Sequence, residues 1–410
     1  MNNPSKYIMA DKNQAGSLGG IFIMFVPYKF AIPPVIITGP GASEQVGKEA
    51  KKLSVKKALL VTTDEIAKLG YTEKIAASLE IEGIDCFIFD KVTPDPTVQN
   101  VQDGLALYQD KGCDIIIGLG GGSSIDCGKG IAISVTNSEK LVDYMGVDRI
   151  PKPSAPLIAI PTTAGTGSEV TKVTIITDTD HNVKMMMSSP FLLPRVALVD
   201  PILSLTTPPS LTAAVGVDAL THAIEAYISK RAQPITDAVA LAAVRLIAKN
   251  LREAWADGRN LEARNQMMIA ATMAGMAFSN SSVALVHGMA RPIGAYFHIH
   301  HGLSNAVILL EVMKFSLPNA VERYAHIAEA MGEKCNNKTS YDQAEMAVCA
   351  IQHLLEDLQI PRLGELGIDK EQFQSVIEQM SEDALASGSP ANNPRPATKE
   401  QIITIYQQCW

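Results

Sequence analysis

Short apolar runs alternate with polar helical stretches through the first half of the chain. From Val35 to Thr63 the order is strand, a glycine turn at Gly39–Gly41, a polar helix (SEQVGKEAKKL) and a second strand (KKALLVTT). That second strand is apolar without alternation, as expected of a parallel strand covered on both faces. A further unit supplies the strand DCFIFD at 85–90, the turn VTPDPT and the helix VQNVQDGLALYQDKG. CDIIIGLGGGSS is the next strand with its loop, and APLIAI is another apolar run. VTIITDTDHNVKMMM has the pattern of a hairpin turning at Asp178–Asn182. Repeated strand–helix alternation predicts an α/β fold with a doubly wound, mostly parallel sheet.

The sheet pattern ends near Leu198–Pro201, and TTPPS at 206–210 is a proline break. Beyond it apolar residues recur at helical spacing in 211–229, 234–256, 260–280, 302–331, 340–358, 369–385 and 398–408, with no strand. Asn250 and Gly258 fit helix ends. The expected organisation is a sheet domain over 1–205 and an all-helical domain over 206–410. A ligand site belongs in the cleft between them.

Composition narrows the function. A chain of 410 residues, 47% of them apolar, suits a two-domain enzyme. A net charge of −8 argues against nucleic acid or an anionic membrane as partner. The six cysteines form no CxxC pair, which fits reduced thiols in the cytoplasm. The apolar patch GGIFIMFVPYKFAIPP near the start is too short to span a bilayer and is broken by Pro27. It is expected to be a first strand or an oligomer contact.

Two stretches carry chemistry. The loop Gly120, Gly121, Gly122 and Ser123 follows a strand and opens a helix, where backbone amides can hold a pyrophosphate. The same glycines could equally form a tight turn and nothing more. Later, GVDALTHAIEA sets Asp218 and His222 four apart, on one helix face. Four of the eight histidines (His287, His298, His300, His301) fall in VHGMARPIGAYFHIHHGLSNAV, and His287 and His301 each precede a glycine. Asp218 and His222 with two of these would form an Asp-plus-three-His site suited to Fe2+ or Zn2+.

Four blocks in this order (LGGGSSIDCGKGIA, IPTTAGTGSEVT, GVDALTHAIEAY and HGMARPIGAYFHIHHG) resemble the group III, or iron-dependent, alcohol dehydrogenase family. The resemblance runs from about Phe30 to Trp410. It implies a dehydroquinate synthase-like architecture and Asp218, His222, His287 and His301 as metal ligands, leaving His298 and His300 as pocket or loop residues. It also implies that Thr162, Thr163 and Thr166 lie along the cofactor, with Lys184 near the nicotinamide ribose. Taken alone, these residues read as a Ser/Thr turn and a solvated strand charge. The implied reaction is hydride transfer between a nicotinamide and a short aldehyde or alcohol, by a homodimer or larger homo-oligomer, with His301 and Arg291 at the reacting end.

Two positions depart from the family pattern. Arg291 stands where many relatives have a second histidine, and arginine is no ordinary general acid. Three readings stay open: an anion clamp for a carboxy- or sulfo-aldehyde, a tuner of proton exchange, or a salt bridge between domains. Thr63 stands where NAD-preferring relatives have Asp, so NADP(H) stays open beside NAD(H), with Asp64 adjacent as a substitute. Zn2+ likewise stays open beside Fe2+. The rival readings are a metal-dependent lyase or cyclase of the dehydroquinate synthase type, and a non-catalytic NAD-binding protein.

Overall fold

The computed structural model describes residues 27–181 and 183–410. The chain divides into two units, Met1–Phe30 and Ala31–Trp410, and every element below belongs to the second. Of the apolar patch at 19–34, residues 19–26 lie outside the described residues and 27–34 form no strand.

Six strands form one parallel sheet in the order Val35–Thr38, Val196–Val199, Leu157–Pro161, Ile115–Gly120, Lys57–Val61 and Asp85–Phe89. The inner strands are buried, apart from the half-exposed Lys57 at the start of one, because helices cover both faces. One layer packs Leu59, Val61, Ile116 and Ile131; the other packs Leu60, Ile115, Ile117 and Ile158. Adjacent residues of one strand thus enter opposite cores, which explains the apolar runs without alternation. Val173–Asp178 and Val183–Ser188 pair antiparallel as the expected hairpin, with Gly146–Val147 added as a third strand. Asn182 of its turn lies outside the described residues.

Among the described residues no strand follows Val199. Helices Pro209–Ile228, Pro234–Ala256, Leu261–Asn280, Ser340–Asp357, Lys370–Ala386 and Lys399–Cys409 match the helical periodicity closely. Three expectations need correction. The stretch 302–331 is two helices, His301–Ser316 and Val321–Ala330, because Pro318 sits in a 3-10 turn at Leu317–Asn319 and has no N–H to continue the ladder. Asn250 lies inside its helix, its side chain bonded to the Leu246 carbonyl. The histidine block contains a helix, Leu285–Phe297, that periodicity did not predict; Pro292 sits inside it.

Pro209–Ile228 is the axis of the helical half. Pro209 at the first turn suits a helix start, and every side chain from Thr212 to Ile228 is buried. Small residues let its neighbours close in: a Cβ on Gly216 would meet Leu251 Cδ1 at 2.3 Å. The six cysteines are all free. No single helix among the described residues is long and apolar enough to cross a membrane. The bent pair Leu261–Asn280 and Leu285–Phe297 passes on composition, but both helices pack into this core.

Candidate metal centre and nucleotide loops

Helix Pro209–Ile228 presents Asp218, His222 and Glu225 at spacings of four and three, on one buried face. Helix Leu285–Phe297 brings His287 from its first turn. Helix His301–Ser316 begins with His301. The glycines after the two histidines serve these approaches. A Cβ on Gly302 would meet the Ala214 carbonyl at 2.8 Å, and one on Gly288 would meet Pro390 Cγ at 2.6 Å. Of the remaining pair, His298 ends its helix in a left-handed conformation, φ 54°, and His300 Nδ1 accepts from the Gly302 amide.

One donor atom from each of Asp218, His222, His287 and His301 lies within 4.8 Å of every other. His222 Nε2 and His287 Nε2 face each other at 2.9 Å. Asp218 Oδ1 is 3.6 Å from His287 Nε2 and 4.0 Å from His301 Nε2. A tetrahedral ion with bonds of about 2.1 Å sets its donors about 3.4 Å apart, within this range. Two further observations fit a cation. Asn305 Nδ2 touches Asp218 Oδ1 (2.7 Å), His301 Nε2 (3.2 Å) and His287 Nε2 (3.3 Å), a positive dipole standing where lone pairs converge. Its Oδ1, meanwhile, is buried and unbonded. His222 Nδ1 is buried and, among the described residues, has no hydrogen-bond partner.

Glu225 organises this cluster from behind. Its carboxylate accepts from the amides of Ala284 (2.9 Å) and Val286 (2.6 Å) and from His287 Nδ1 (2.7 Å). It therefore caps the helix that carries His287 and holds that ring with Nε2 turned inward. Burial pushes the His222 ring down to about 4, against the pull of Asp218. Burial also acts against charge on His287, but Asp218 and Glu225 outweigh it and lift that ring to about 9. Asp218 stays ionised despite burial, because His222, His301 and His287 surround it. For His301, 45% of the side chain is exposed, yet crowding first, then the charges of His287, His222 and Arg291, favours its neutral form. Sequence reading passed over Glu225 and Asn305. Their signal was present, Glu225 three residues after His222 and Asn305 four after His301.

The loops expected to bind nucleotide cluster at the carboxyl ends of three adjacent strands, where ligands bind in open α/β sheets. Gly120 has φ 143°, and a Cβ there would meet Ser124 Oγ at 2.5 Å, so the turn requires glycine. Gly121 precedes helix Gly122–Thr136, whose first amides point outward. A Cβ on Gly122 would lie 3.0 Å from Thr166, and one on Gly121 3.6 Å from Thr163. The Thr162 amide donates to the Gly120 carbonyl, which completes the contact between the two loops. Ser123 donates its hydroxyl to the Pro94 carbonyl, and Lys184 pairs with Asp95 at 2.9 Å, so both hold the 92–97 turn. Thr63 caps helix Asp64–Lys68 by accepting from Ile66 N, and Asp64 pairs with Lys68.

The loop 161–171 joins the two halves. A Cβ on Gly167, at φ 62°, would meet Gly275 Cα at 2.6 Å, and one on Gly165 would meet Val215 Cβ at 2.7 Å. Lys129 fastens this loop to helix Gly122–Thr136. Its buried ammonium donates to Val173 O (2.7 Å), Thr171 Oγ1 (2.9 Å), Thr171 O (3.0 Å) and Ser168 Oγ (3.1 Å). Asp126 accepts from Ser168 Oγ and the Ile175 amide. Glu169 accepts from Thr272 Oγ1 on helix Leu261–Asn280.

Comparison with known proteins accounts for both halves. Residues 33–201 match the iron-containing alcohol dehydrogenase family, and residues 212–410 match the Fe-containing alcohol dehydrogenase family, C-terminal. The chain belongs to the iron-containing alcohol dehydrogenase family. A 1,3-propanediol dehydrogenase of Citrobacter freundii is 44% identical over 386 residues, covering 93% of this chain and 99% of that one. A crystal structure of a 1,3-propanediol oxidoreductase superposes with a TM-score of 0.92 at 43% identity, over 94% of this chain and all of that chain. A sulfoacetaldehyde reductase of Bifidobacterium kashiwanohense, solved with NAD+, superposes with a TM-score of 0.85 at 28% identity, over 94% and 99% of the two chains. As a member of this family the chain is an oxidoreductase of short-chain alcohols and aldehydes, which decides against the lyase and non-catalytic readings.

The salt-bridge reading of Arg291 is overturned. Among the described residues its guanidinium makes no hydrogen bond or ion pair, although it feels the Glu225 carboxylate.

Proposed function

We propose that the chain is an NAD(H)-dependent aldehyde reductase and alcohol dehydrogenase whose Fe2+ is held by Asp218, His222, His287 and His301. The convergence of these four donors carries the reading. Zn2+ would fit the same donors, and family membership favours iron. When bound, Fe2+ supplies a Lewis acid for a carbonyl or alkoxide oxygen, and the nicotinamide supplies the hydride.

The chain's own residues do the rest. Asp218 contributes a fixed negative charge beside three imidazoles. Glu225 holds the His287 Nδ1 proton, so that Nε2 offers its lone pair. His301, the exposed donor, marks the side from which substrate enters. The amides at Gly122 and Ser123 receive the pyrophosphate, with Gly120, Gly121, Thr162, Thr163 and Thr166 shaping the trough. Lys184 serves at the nicotinamide ribose once it leaves Asp95. Thr63 sets no charge against a 2′-phosphate, whereas Asp64 beside it does, and NAD(H) is the preferred form. The neighbour solved with NAD+ supports this choice.

The same proposal divides the chain at 205/206 into a nucleotide-binding and a metal-binding domain, and places the enzyme in the cytoplasm as a homodimer or larger assembly. Six unpaired cysteines support the compartment. The edge strand Val35–Thr38, with Val35 37% exposed, offers a surface for a second subunit.

The test is anaerobic loading with Fe2+, followed by NADH absorbance with a short aldehyde such as propanal. Turnover with one bound ion per chain is expected. Absence of turnover with both NADH and NADPH across several short aldehydes would sink the reading.

A further inference from the structure

Arginines packed into this protein find acceptors. Arg264 uses the carbonyls of Gly258 and Thr207 and the hydroxyl of Thr212. Arg323 grips Asp237 with two nitrogens, and Arg395 bonds the Phe315 carbonyl. Arg291 is different: it is half-buried, and among the described residues nothing accepts from its five N–H groups.

Its place makes that vacancy informative. Arg291 follows His287 by four residues on helix Leu285–Phe297, hence on the same face and about 6 Å further along the axis. Its charge is felt at His301, the exposed donor, and at Glu225. Glu225 makes no hydrogen bond to it; its oxygens serve Ala284, Val286 and His287 instead. Charge bookkeeping points the same way. Asp218 and Glu225 balance a divalent ion, which leaves the guanidinium as one uncompensated positive charge beside the reacting end. A half-buried cation in that position favours an anion with planar or trigonal oxygens.

We infer that Arg291 is a specificity-determining residue that binds an anionic group of the substrate, and that the preferred substrate is a two- to four-carbon aldehyde ending in a carboxylate or sulfonate. The spacing of one helical turn between Arg291 and His287 limits the chain between carbonyl and anion to a few atoms. This rests on the aldehyde-reductase reading above.

The test compares kcat/KM of the Fe2+-loaded enzyme for matched pairs: succinic semialdehyde against butanal, and sulfoacetaldehyde against propanal. The two pairs also separate carboxylate from sulfonate. The wild type is expected to favour at least one anionic member by tenfold or more, through KM. In Arg291→Gln that ratio should fall by about 10- to 100-fold, as for loss of a charge-assisted pair, with Arg291→Lys restoring part of it. A wild-type preference for both neutral aldehydes, or an unchanged ratio in Arg291→Gln, overturns the inference and leaves the enzyme class standing. No reduction of any of the four removes the aldehyde-reductase reading, and this inference with it.

Discussion

Lys129 in the sheet half and Asp218 in the helical half each anchor a buried polar cluster, but only the first is saturated. The Lys129 ammonium has four oxygens within 3.1 Å, and Asp126 and Glu169 each have their own donors. Around Asp218, by contrast, two imidazole nitrogens confront each other, an amide oxygen is unbonded and a ring nitrogen lacks a closed bond. Burial makes both arrangements expensive unless each polar group is met. A cluster that meets its own needs is a fastener. One that gathers a carboxylate and three imidazoles within 4.8 Å of one another, with polar atoms left unmet, has the donor set of a cation site.

The contrast can be broken first at His287. His287→Ala should drop turnover by about a thousandfold or more and remove bound iron, while circular dichroism stays native. Metal analysis after gel filtration reads the loss; retained iron with full turnover would contradict the assignment. Lys129→Met should act in the opposite sense, on the fold. Leaving its acceptors unmet should cost about 3 to 5 kcal/mol in urea unfolding, with the donors of the metal centre intact.

Glu225→Gln keeps the shape but weakens the hold on His287. Iron affinity is expected to fall about 10- to 100-fold in a chelator competition. If affinity is unchanged, Glu225 is a helix cap and no more.

A pH series sharpens the same comparison. Burial pulls Lys129 down to about 8, against the opposing pull of Asp126 and Glu169, from its ordinary 10.5. Between those values the native state holds fewer protons than the unfolded chain, so stability rises with pH there and is lost as pH falls through 8. The stability gap between wild type and Lys129→Met should therefore widen from pH 8 to 10, by at most about 1.4 kcal/mol per unit. A flat gap would show that the lysine titrates normally. The smallest effect is at Thr63, where alanine should cost about 1 kcal/mol of thermal stability through the lost helix cap.

Most of the architecture was legible along the chain because its signals are local. Buried parallel strands are continuous apolar runs, and six of the seven predicted helical segments carry their period from end to end. The four converging donors were legible because two came from one helical turn and two were marked by a following glycine, whose need for space is now explained by Ala214 and Pro390. Helix Leu285–Phe297 was hidden by Pro292 and by the density of histidines. Glu225 and Asn305 were missed for a different reason. Glu225 takes its role from partners 59 to 62 residues away and Asn305 in part from Asp218, 87 away, and a buried carboxylate on an alanine-rich helix looks no different from any other until the second helix is in place. Arg291 was visible as an oddity, but only three-dimensional packing could show that no described residue bonds it.

Three of the converging donors are buried, and the fourth, His301, is 45% exposed. An ion seated among them would communicate with the surrounding water across that one ring. Exchange, oxidation and theft by chelators would all pass through a single door. His301 stands at the first turn of its helix, where the backbone frays most easily. Opening that turn would surrender one donor and leave three. The identity of the resident metal would then be settled as much by how fast the door swings, and by which ion is abundant outside it, as by the intrinsic ranking of affinities.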